Sequence, residues 1–423
     1  MGRGAADPHD RPGRARVQRN VRMGRFRVKG PEILSPEVIS LGCRLNIAES
    51  EAIRAMLGEG EDLVIVNSCS VTNEAVRNTR QAIRRARRER PDARLVVTGC
   101  AAETERDEIA AMPEVDGIVA NAAKLDARSW NAPLAEAPPP PRRTRAFIGV
   151  QNGCDHSCTF CSIPAGRGKS RSLIIPEVLR AVEGHILAGA KEIVFTGVDL
   201  TSWGQDISNS PRLGALIEAT LNEFRELRRV RLSSLDGVEI DEVLFELLAG
   251  EQRVMPHVHL SLQHGADLIL KRMKRRHSRA DAVDLVARLK ARRPEIAVGA
   301  DLIAGFPTET HAHHADNLSI IEEADIVHGH VFPFSPRDGT PAARMPQHAR
   351  TTIKARAVEL RAAVARRREA WLESLVGETL PVLAERDGTG YAPNYARVKL
   401  PEGTAPGAIV PVTASAIEQG MLR

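Results

Sequence analysis

Aromatic residues are scarce, at 3% of 423 residues, with three Trp and two Tyr. The core must therefore be built from Leu, Val, Ile and Ala, which a chain that is 43% apolar can supply. No run of about eighteen apolar residues exists, so no membrane-spanning helix is expected. The arginine-bearing N-terminus has no apolar segment behind it, so a secretory signal is not expected either. Cysteine is sparse too. Six in so long a chain argue for a reducing compartment, taken as the cytoplasm, and for ligands rather than disulfides. The formal net charge of +5 is compatible with a nucleic-acid partner without requiring one. Length alone implies two to four domains.

The cysteines that are present fall into two groups of three. In Gly153-Cys154-Asp155-His156-Ser157-Cys158-Thr159-Phe160-Cys161 they stand four and three residues apart, with an aromatic before the last. Three thiolates on one short loop can hold three irons of a [4Fe–4S] cube and leave the fourth iron open. Zinc is the alternative, but no fourth Cys or His follows at zinc-finger spacing, and His156 lies too close in the run to complete a tetrahedron. Cys43, Cys69 and Cys100 each end a short β-branched run: Val38–Leu41, Leu63–Val66 and Leu95–Val97. Helical periods at 46–58 and 73–89 lie between them. Strand–helix–strand alternation implies a parallel sheet, so all three sulfurs are expected at its carboxyl edge, where open α/β sheets bind ligands. Three structural cysteines are the alternative; the shared topological position favours a second cluster.

The remaining chain divides as follows. Residues 1–34 form a basic tail, expected to be disordered. Residues 35–130 are the first cysteine domain. Its helix 73–89 and the turn after it carry Arg77, Arg80, Arg84, Arg85, Arg87, Arg88 and Arg90, a candidate phosphate-binding face. The proline run within 131–144 marks a stiff linker. Residues 145–373 alternate strand and helix about six times, which suggests a partial (β/α)6 TIM-like barrel with its site at the strand ends. The cysteine loop follows the first barrel strand. Thr196-Gly197-Val198-Asp199, Ser233-Ser234, Leu262-Gln263-His264-Gly265 and Asp301 through Pro307 stand at later strand ends. Asp301 reads equally well as structural, and His311, His313 and His314 read as solvated. Residues 374–423 are a short β-rich module, expected to be a small barrel, whose slightly acidic balance gives no sign of a basic RNA-gripping surface.

The loop at 154–161 resembles the signature of radical S-adenosylmethionine (radical SAM) enzymes. From about residue 36 onward the chain is similar to the methylthiotransferases of that superfamily. Leu41-Gly42-Cys43-Arg44-Leu45-Asn46 with Glu49-Ser50, Val66 through Ala75, and Thr98-Gly99-Cys100-Ala101 look like their three N-terminal motifs. His259 through Gln263, Lys271-Arg272-Met273 and Pro333 through Thr340 strengthen the match. The Cys-Ser-Val-Thr form at Cys69 is most similar to the branch acting on tRNA threonylcarbamoyladenosine. Two places depart: His264-Gly265 replaces a common Ser-Gly, and Leu235-Asp236-Gly237 a common Leu-Glu-Pro.

The resemblance implies a TRAM-like C-terminal module and two [4Fe–4S] clusters, one on Cys43, Cys69 and Cys100 and one on Cys154, Cys158 and Cys161. It implies S-adenosylmethionine beside the second, with Phe160 near its adenine. Thr196, Gly197 and Val198 would lie near its amino group, and Ser233, Ser234 and Gln263 near its ribose and carboxylate. It also implies the reaction, methylthiolation at C2 of N6-threonylcarbamoyladenosine-37 in the anticodon stem-loop of tRNA. Implied partners are a low-potential flavodoxin- or ferredoxin-type electron donor and a sulfur donor, with no membrane. Action on isopentenyladenosine-37 or on a ribosomal protein side chain is the alternative within the family. A non-catalytic iron–sulfur scaffold and a zinc-binding RNA module are the alternatives outside it.

Overall fold

The computed structural model describes residues 35–135 and 143–423; the tail 1–34 and the prolines at 138–141 lie outside the described residues. Three β-branched stretches form the first sheet: β1 (Glu37–Ser40), β2 (Leu63–Ser68) and β3 (Arg94–Gly99). β2 is buried at every position, which a parallel sheet covered on both faces requires. Helices α1 (Arg44–Met56) and α2 (Asn73–Glu89) make the crossovers. Short helices α3 (Cys100–Thr104) and α4 (Arg106–Ala110) lead to the edge strand β4 (Gly117–Ile118). Strand order is β1-β2-β3-β4, all parallel. Thr72 caps α2, accepting from Ala75 N at 3.1 Å, and Ile83 buries the helix's inner face.

The arginines of α2 are largely spent within the chain. Arg80 pairs with Glu105, Arg84 with Glu114, Arg85 with Glu89 and Arg87 with Asp116, while Arg90 beyond the helix pairs with Asp62. The free phosphate-binding face expected from their number is therefore much reduced. The acids that neutralise it come mostly from other elements, out of sight of a local charge count.

The second layered unit is a partial barrel. β5 (Arg145–Gly149) leads through a hairpin, β6 (Gln151–Asn152) and β7 (Arg171–Ser172), that brackets the cysteine loop and α5 (Ile163–Arg167). Then follow α6 (Ile175–Leu187), β8 (Glu192–Thr196), α7 (Leu213–Glu223), β9 (Val230–Leu232), β10 (Ser234–Leu235) and α8 (Glu242–Gly250). β11 (His257–Gln263), α9 (Asp267–Arg272), α10 (Arg279–Arg292), β12 (Ala297–Ala304), α11 (His311–Glu323), β13 (Ile326–Pro333) and α12 (Arg350–Glu373) complete it. The strand expected to end at Ser233-Ser234 breaks at Ser233. β9 pairs with β8, whereas β10 pairs with β11, so the chain changes neighbours there and joins two parallel sheets into one curved wall. Alternate residues such as Val298, Ala300, Leu302 and Ala304 pack under the helices. Their neighbours, among them His259, Asp301 and His330, share the concave face. No helix among the described residues is long and apolar enough to cross a membrane.

The C-terminal strands β14 (Thr379–Ala384), β15 (Thr389–Tyr391), β16 (Arg397–Lys399), β17 (Ile409–Thr413), β18 (Ile417–Glu418) and β19 (Met421–Leu422) form a six-stranded, mainly antiparallel sheet. Its core includes Ala297 and Val327 from the starts of β12 and β13, so it closes the amino end of the barrel. The Tyr395 ring enters that end. It lies 4.8 Å from His257 between centroids and 4.8 Å from the Arg231 guanidinium carbon, and its hydroxyl accepts from Arg44 Nη2 at 2.7 Å.

Candidate active site

The loop carrying Cys154, Cys158 and Cys161 is clamped from several sides. Gly153 has φ +74°, and a Cβ there would stand 1.9 Å from the Lys169 carbonyl oxygen, so only glycine fits. Cys154 N donates to Gly168 O at 3.1 Å, and Thr159 N to Met273 O at 3.1 Å. Each sulfur receives one N–H: Cys154 from His156 N (3.4 Å), Cys161 from Ile163 N (3.4 Å) and Cys158 from Arg275 Nη1 (3.6 Å). Donors aimed at sulfur suit thiolates. As free thiols two of them are held protonated: desolvation pushes Cys161 up to about 11, and desolvation with the nearby Asp199 carboxylate pushes Cys154 up further. Such sulfurs ionise when a metal replaces their proton. His156 bridges Asp199 (3.0 Å) and Glu239 (3.8 Å), and its hydrogen bond to Asp199 first among causes raises its pKa to about 10. The imidazolium pairs with both carboxylates, and Asp199 in turn accepts from the Cys154 thiol at 3.5 Å.

The second triplet lies at the carboxyl edge of the first sheet, as its strand positions require. Gly42 has φ +94°, and a Cβ there would lie 2.7 Å from both Cβ and Sγ of Cys69. Burial raises the Cys69 thiol to about 11, with Cys100 and Cys43 adding to the effect, so all three sulfurs are within electrostatic reach of one another. Cys161 also feels Cys100. α5 begins two residues after Cys161, and its Gly166 packs on Cys100, with an ideal Cβ 3.4 Å from Cys100 Cβ. The two triplets therefore face each other across one short helix.

Beneath Cys100 lies a buried charge network that sequence reasoning missed, apart from quoting Asn46 and Glu49 within a motif. Arg167 grips Glu49 with both guanidinium nitrogens (2.9 and 3.1 Å) and bonds Asn46 and Asn152. Lys124 Nζ donates to Glu49 Oε2 at 2.6 Å and to Asn67 Oδ1 at 3.3 Å. All three charged side chains are at most 3% exposed. Two cations against one carboxylate leave a surplus positive charge, and both cations favour the ionised form of Cys100. This donor and charge set fits an anionic cluster held by three thiolates. The partners stand 75 and 118 residues apart, so no local pattern could reveal them.

The candidate cofactor contacts stand on the same rim. Phe160 is half-buried and meets Phe306 edge-on, centroids 6.5 Å apart. Thr196 ends β8, and Gly197 follows where a Cβ would meet Gln151 Oε1 at 2.8 Å. Gln151 Oε1 accepts from Val198 N (3.1 Å) and Asp199 N (2.9 Å), tying that turn to the cysteine loop. Ser233 sits at the strand break, its hydroxyl buried and without a partner among the described residues. Ser234 pairs in register with His259, and Gln263 ends β11 with φ +72°.

The departures from the family pattern have structural reasons. His264 is fully buried; its Nδ1 accepts from Ala266 N at 2.9 Å. Asp236 accepts from Arg275 (2.9 Å) and Arg276 (3.1 Å), so an acid still pairs with them. His314 is buried rather than solvated, between Glu309 (3.3 Å) and Glu359 (2.9 Å), and His313 caps its helix through Thr310. Asp301 is not isolated: it accepts from His259 Nε2 at 3.0 Å and His330 Nδ1 at 3.2 Å.

Residues 148–319 match the family model described as the radical SAM superfamily, and residues 36–120 match the one described as uncharacterized protein family UPF0004. The chain is 42% identical over 408 residues to threonylcarbamoyladenosine tRNA methylthiotransferase MtaB of Rickettsia prowazekii (strain Madrid E), spanning 92% of this chain and 97% of the relative. It is 32% identical to the protein of the same name from Bacillus subtilis (strain 168), over 85% and 88% of the two chains. It is also 32% identical to tRNA-2-methylthio-N(6)-dimethylallyladenosine synthase of Erythrobacter litoralis (strain HTCC2594), over 83% and 86%. Among solved structures it is similar in fold to the radical S-adenosylmethionine methyltransferase TsrM from Kitasatospora setae, with a TM-score of 0.50 at 17% identity, covering 67% of this chain and 64% of that one. Two facing cysteine triplets on this fold, and close identity along nearly the full length of such a relative, lead to one conclusion: the chain belongs to the radical SAM methylthiotransferase family.

Proposed function

We propose that this protein attaches a methylthio group to C2 of N6-threonylcarbamoyladenosine at position 37 of tRNA, using S-adenosylmethionine and two [4Fe–4S] clusters. The observation that carries the reading is the pair of cysteine triplets facing each other across α5, together with 42% identity to a relative named for this activity. The dimethylallyladenosine reading rests on lower identity, 32%. Cys154, Cys158 and Cys161 would hold the cluster beside S-adenosylmethionine, and Cys43, Cys69 and Cys100 the auxiliary one. When bound, these groups supply the one-electron and sulfur-transfer chemistry that no side chain offers to an unactivated aromatic C–H.

The chain's own residues prepare the cavity. Arg275, Ile163 N and His156 N orient the loop sulfurs by hydrogen bonds. Arg167 and Lys124 balance negative charge at Cys100. Phe160, Thr196, Gly197, Val198, Ser233, Ser234 and Gln263 would line the S-adenosylmethionine site, the unpartnered Ser233 hydroxyl being a donor in waiting. Tyr395 and the C-terminal sheet close the amino end of the barrel, which keeps water from a reactive intermediate. The base must leave the anticodon-loop stack to reach this depth, at a cost of about a few kcal/mol in a single-stranded loop.

In this reading residues 35–130 carry the auxiliary cluster, 145–373 form the radical SAM domain and 374–423 a TRAM-like module. A low-potential flavodoxin- or ferredoxin-type protein would supply electrons and a separate donor the sulfur, in the cytoplasm where tRNA is modified. The test is mass spectrometry of tRNA nucleosides from a deletion strain. The methylthio mark on threonylcarbamoyladenosine should vanish, return with the wild-type gene and stay absent with Cys158→Ala. Its persistence in the deletion strain would overturn the reading.

A further inference from the structure

The concave wall of the barrel carries a polar row that the cluster chemistry does not use. His259 on β11, Asp301 on β12 and His330 on β13 lie side by side, with Asp301 directly opposite His330 in register. Asp301 Oδ1 takes N–H bonds from both imidazoles, and the two rings lie 4.6 Å apart between centroids, tilted by 38°. His259 is buried, its Nδ1 packed against Gly299, which stands opposite it on β12. His330 differs. It stands on the edge strand with its side chain 62% exposed, and its Nε2 has no partner among the described residues. A carboxylate that fixes one imidazole nitrogen dictates what the other presents. At 3.0 and 3.2 Å both contacts are ordinary hydrogen bonds to a carboxylate, so the row is satisfied without an ion. Its exposed member presents one nitrogen, His330 Nε2, at the edge of the sheet.

The substrates that name the relatives differ at one place. A dimethylallyl group on N6 is a hydrocarbon, whereas a threonylcarbamoyl group carries a urea, a hydroxyl and a carboxylate. An apolar pocket rejects an added polar group only weakly, but a site built to hydrogen-bond one discriminates strongly. We infer that His330, held by Asp301 with His259 behind it, hydrogen-bonds the threonylcarbamoyl group of the substrate nucleoside and sets which N6-modified adenosine is accepted. The inference rests on the proposed tRNA substrate and adds the residue that selects it.

The experiment measures binding of the full chain to two anticodon stem-loops of identical sequence, one with threonylcarbamoyl on A37 and one with unmodified A37. Wild type should prefer the modified loop. His330→Phe keeps an aromatic ring and removes both nitrogens; it should reduce that preference about tenfold while affinity for the unmodified loop stays within about twofold. Asp301→Asn, checked for folding by its melting curve, should reduce it in the same sense. An undiminished preference in His330→Phe, or equal weakening toward both loops, overturns the inference. So does a stoichiometric divalent ion that Asp301→Asn removes while the preference persists, since the row would then be a metal site. The parent reading fails separately, if reconstituted wild type forms no methylthio product on the modified loop.

Discussion

Arg275 connects the cysteine loop to the barrel: it donates to the Cys158 sulfur, to Asp236 and to the Ser261 carbonyl. Its role is to orient and to partly neutralise, and such supporting contacts are usually worth ~10–100-fold in activity. Arg275→Gln should therefore lower turnover by about that factor, and an EPR-monitored titration should show a more negative cluster potential, because a donor to sulfur has gone. Glu309 illustrates a different residue-scale effect. Burial alone would raise its carboxyl, but His264, His314 and Arg356 hold it down at about 2 against an ordinary 4.5. A depressed carboxyl contributes stability that is fully present above 4.5 and disappears as pH falls toward 2. Melting temperature plotted against pH should thus be flatter in Glu309→Gln than in wild type over that window.

At the scale of elements, the strand-ending cysteines were legible because the same unit recurs three times: a β-branched run, a small polar residue or glycine, then Cys43, Cys69 or Cys100. The helices between were equally legible from their period. The break at Ser233 was not, because it depends on which neighbour each half of the strand pairs with, and no residue in Arg231-Leu232-Ser233-Ser234 announces that. The burial of His314 escaped for the same reason, since its partner Glu359 is on a helix 45 residues away. The cysteine loop is the element most exposed to single changes. Gly153→Ala would drive a methyl into backbone, so anaerobically reconstituted protein should fall from about eight irons per chain toward about four. Gly250→Ala, at the end of α8 where nothing lies within 4 Å of an added Cβ, is the matching control, and it should retain the full count.

Across the whole molecule, charge buried between distant segments holds the two cysteine triplets in register. Glu49 lies on α1, Arg167 on α5 and Lys124 beyond β4. Removing one cation leaves an ion pair, but Glu49→Gln leaves two buried cations facing each other. That variant should lose about 3–5 kcal/mol in denaturant unfolding, more than Lys124→Met. The C-terminal sheet is fastened by Tyr395, whose ring and hydroxyl meet Arg44 next to Cys43. Tyr395→Phe keeps the ring but removes the hydroxyl that Arg44 and Arg145 contact, and should cost about 1 kcal/mol.

α5 spans five residues, with Cys161 two positions before it and Gly166 against Cys100 near its end. A helix adds about 1.5 Å and about 100° for every residue inserted. Its length is thus a built-in gauge block: one residue more or less would swing the two cysteine triplets out of line, even though every cysteine was kept.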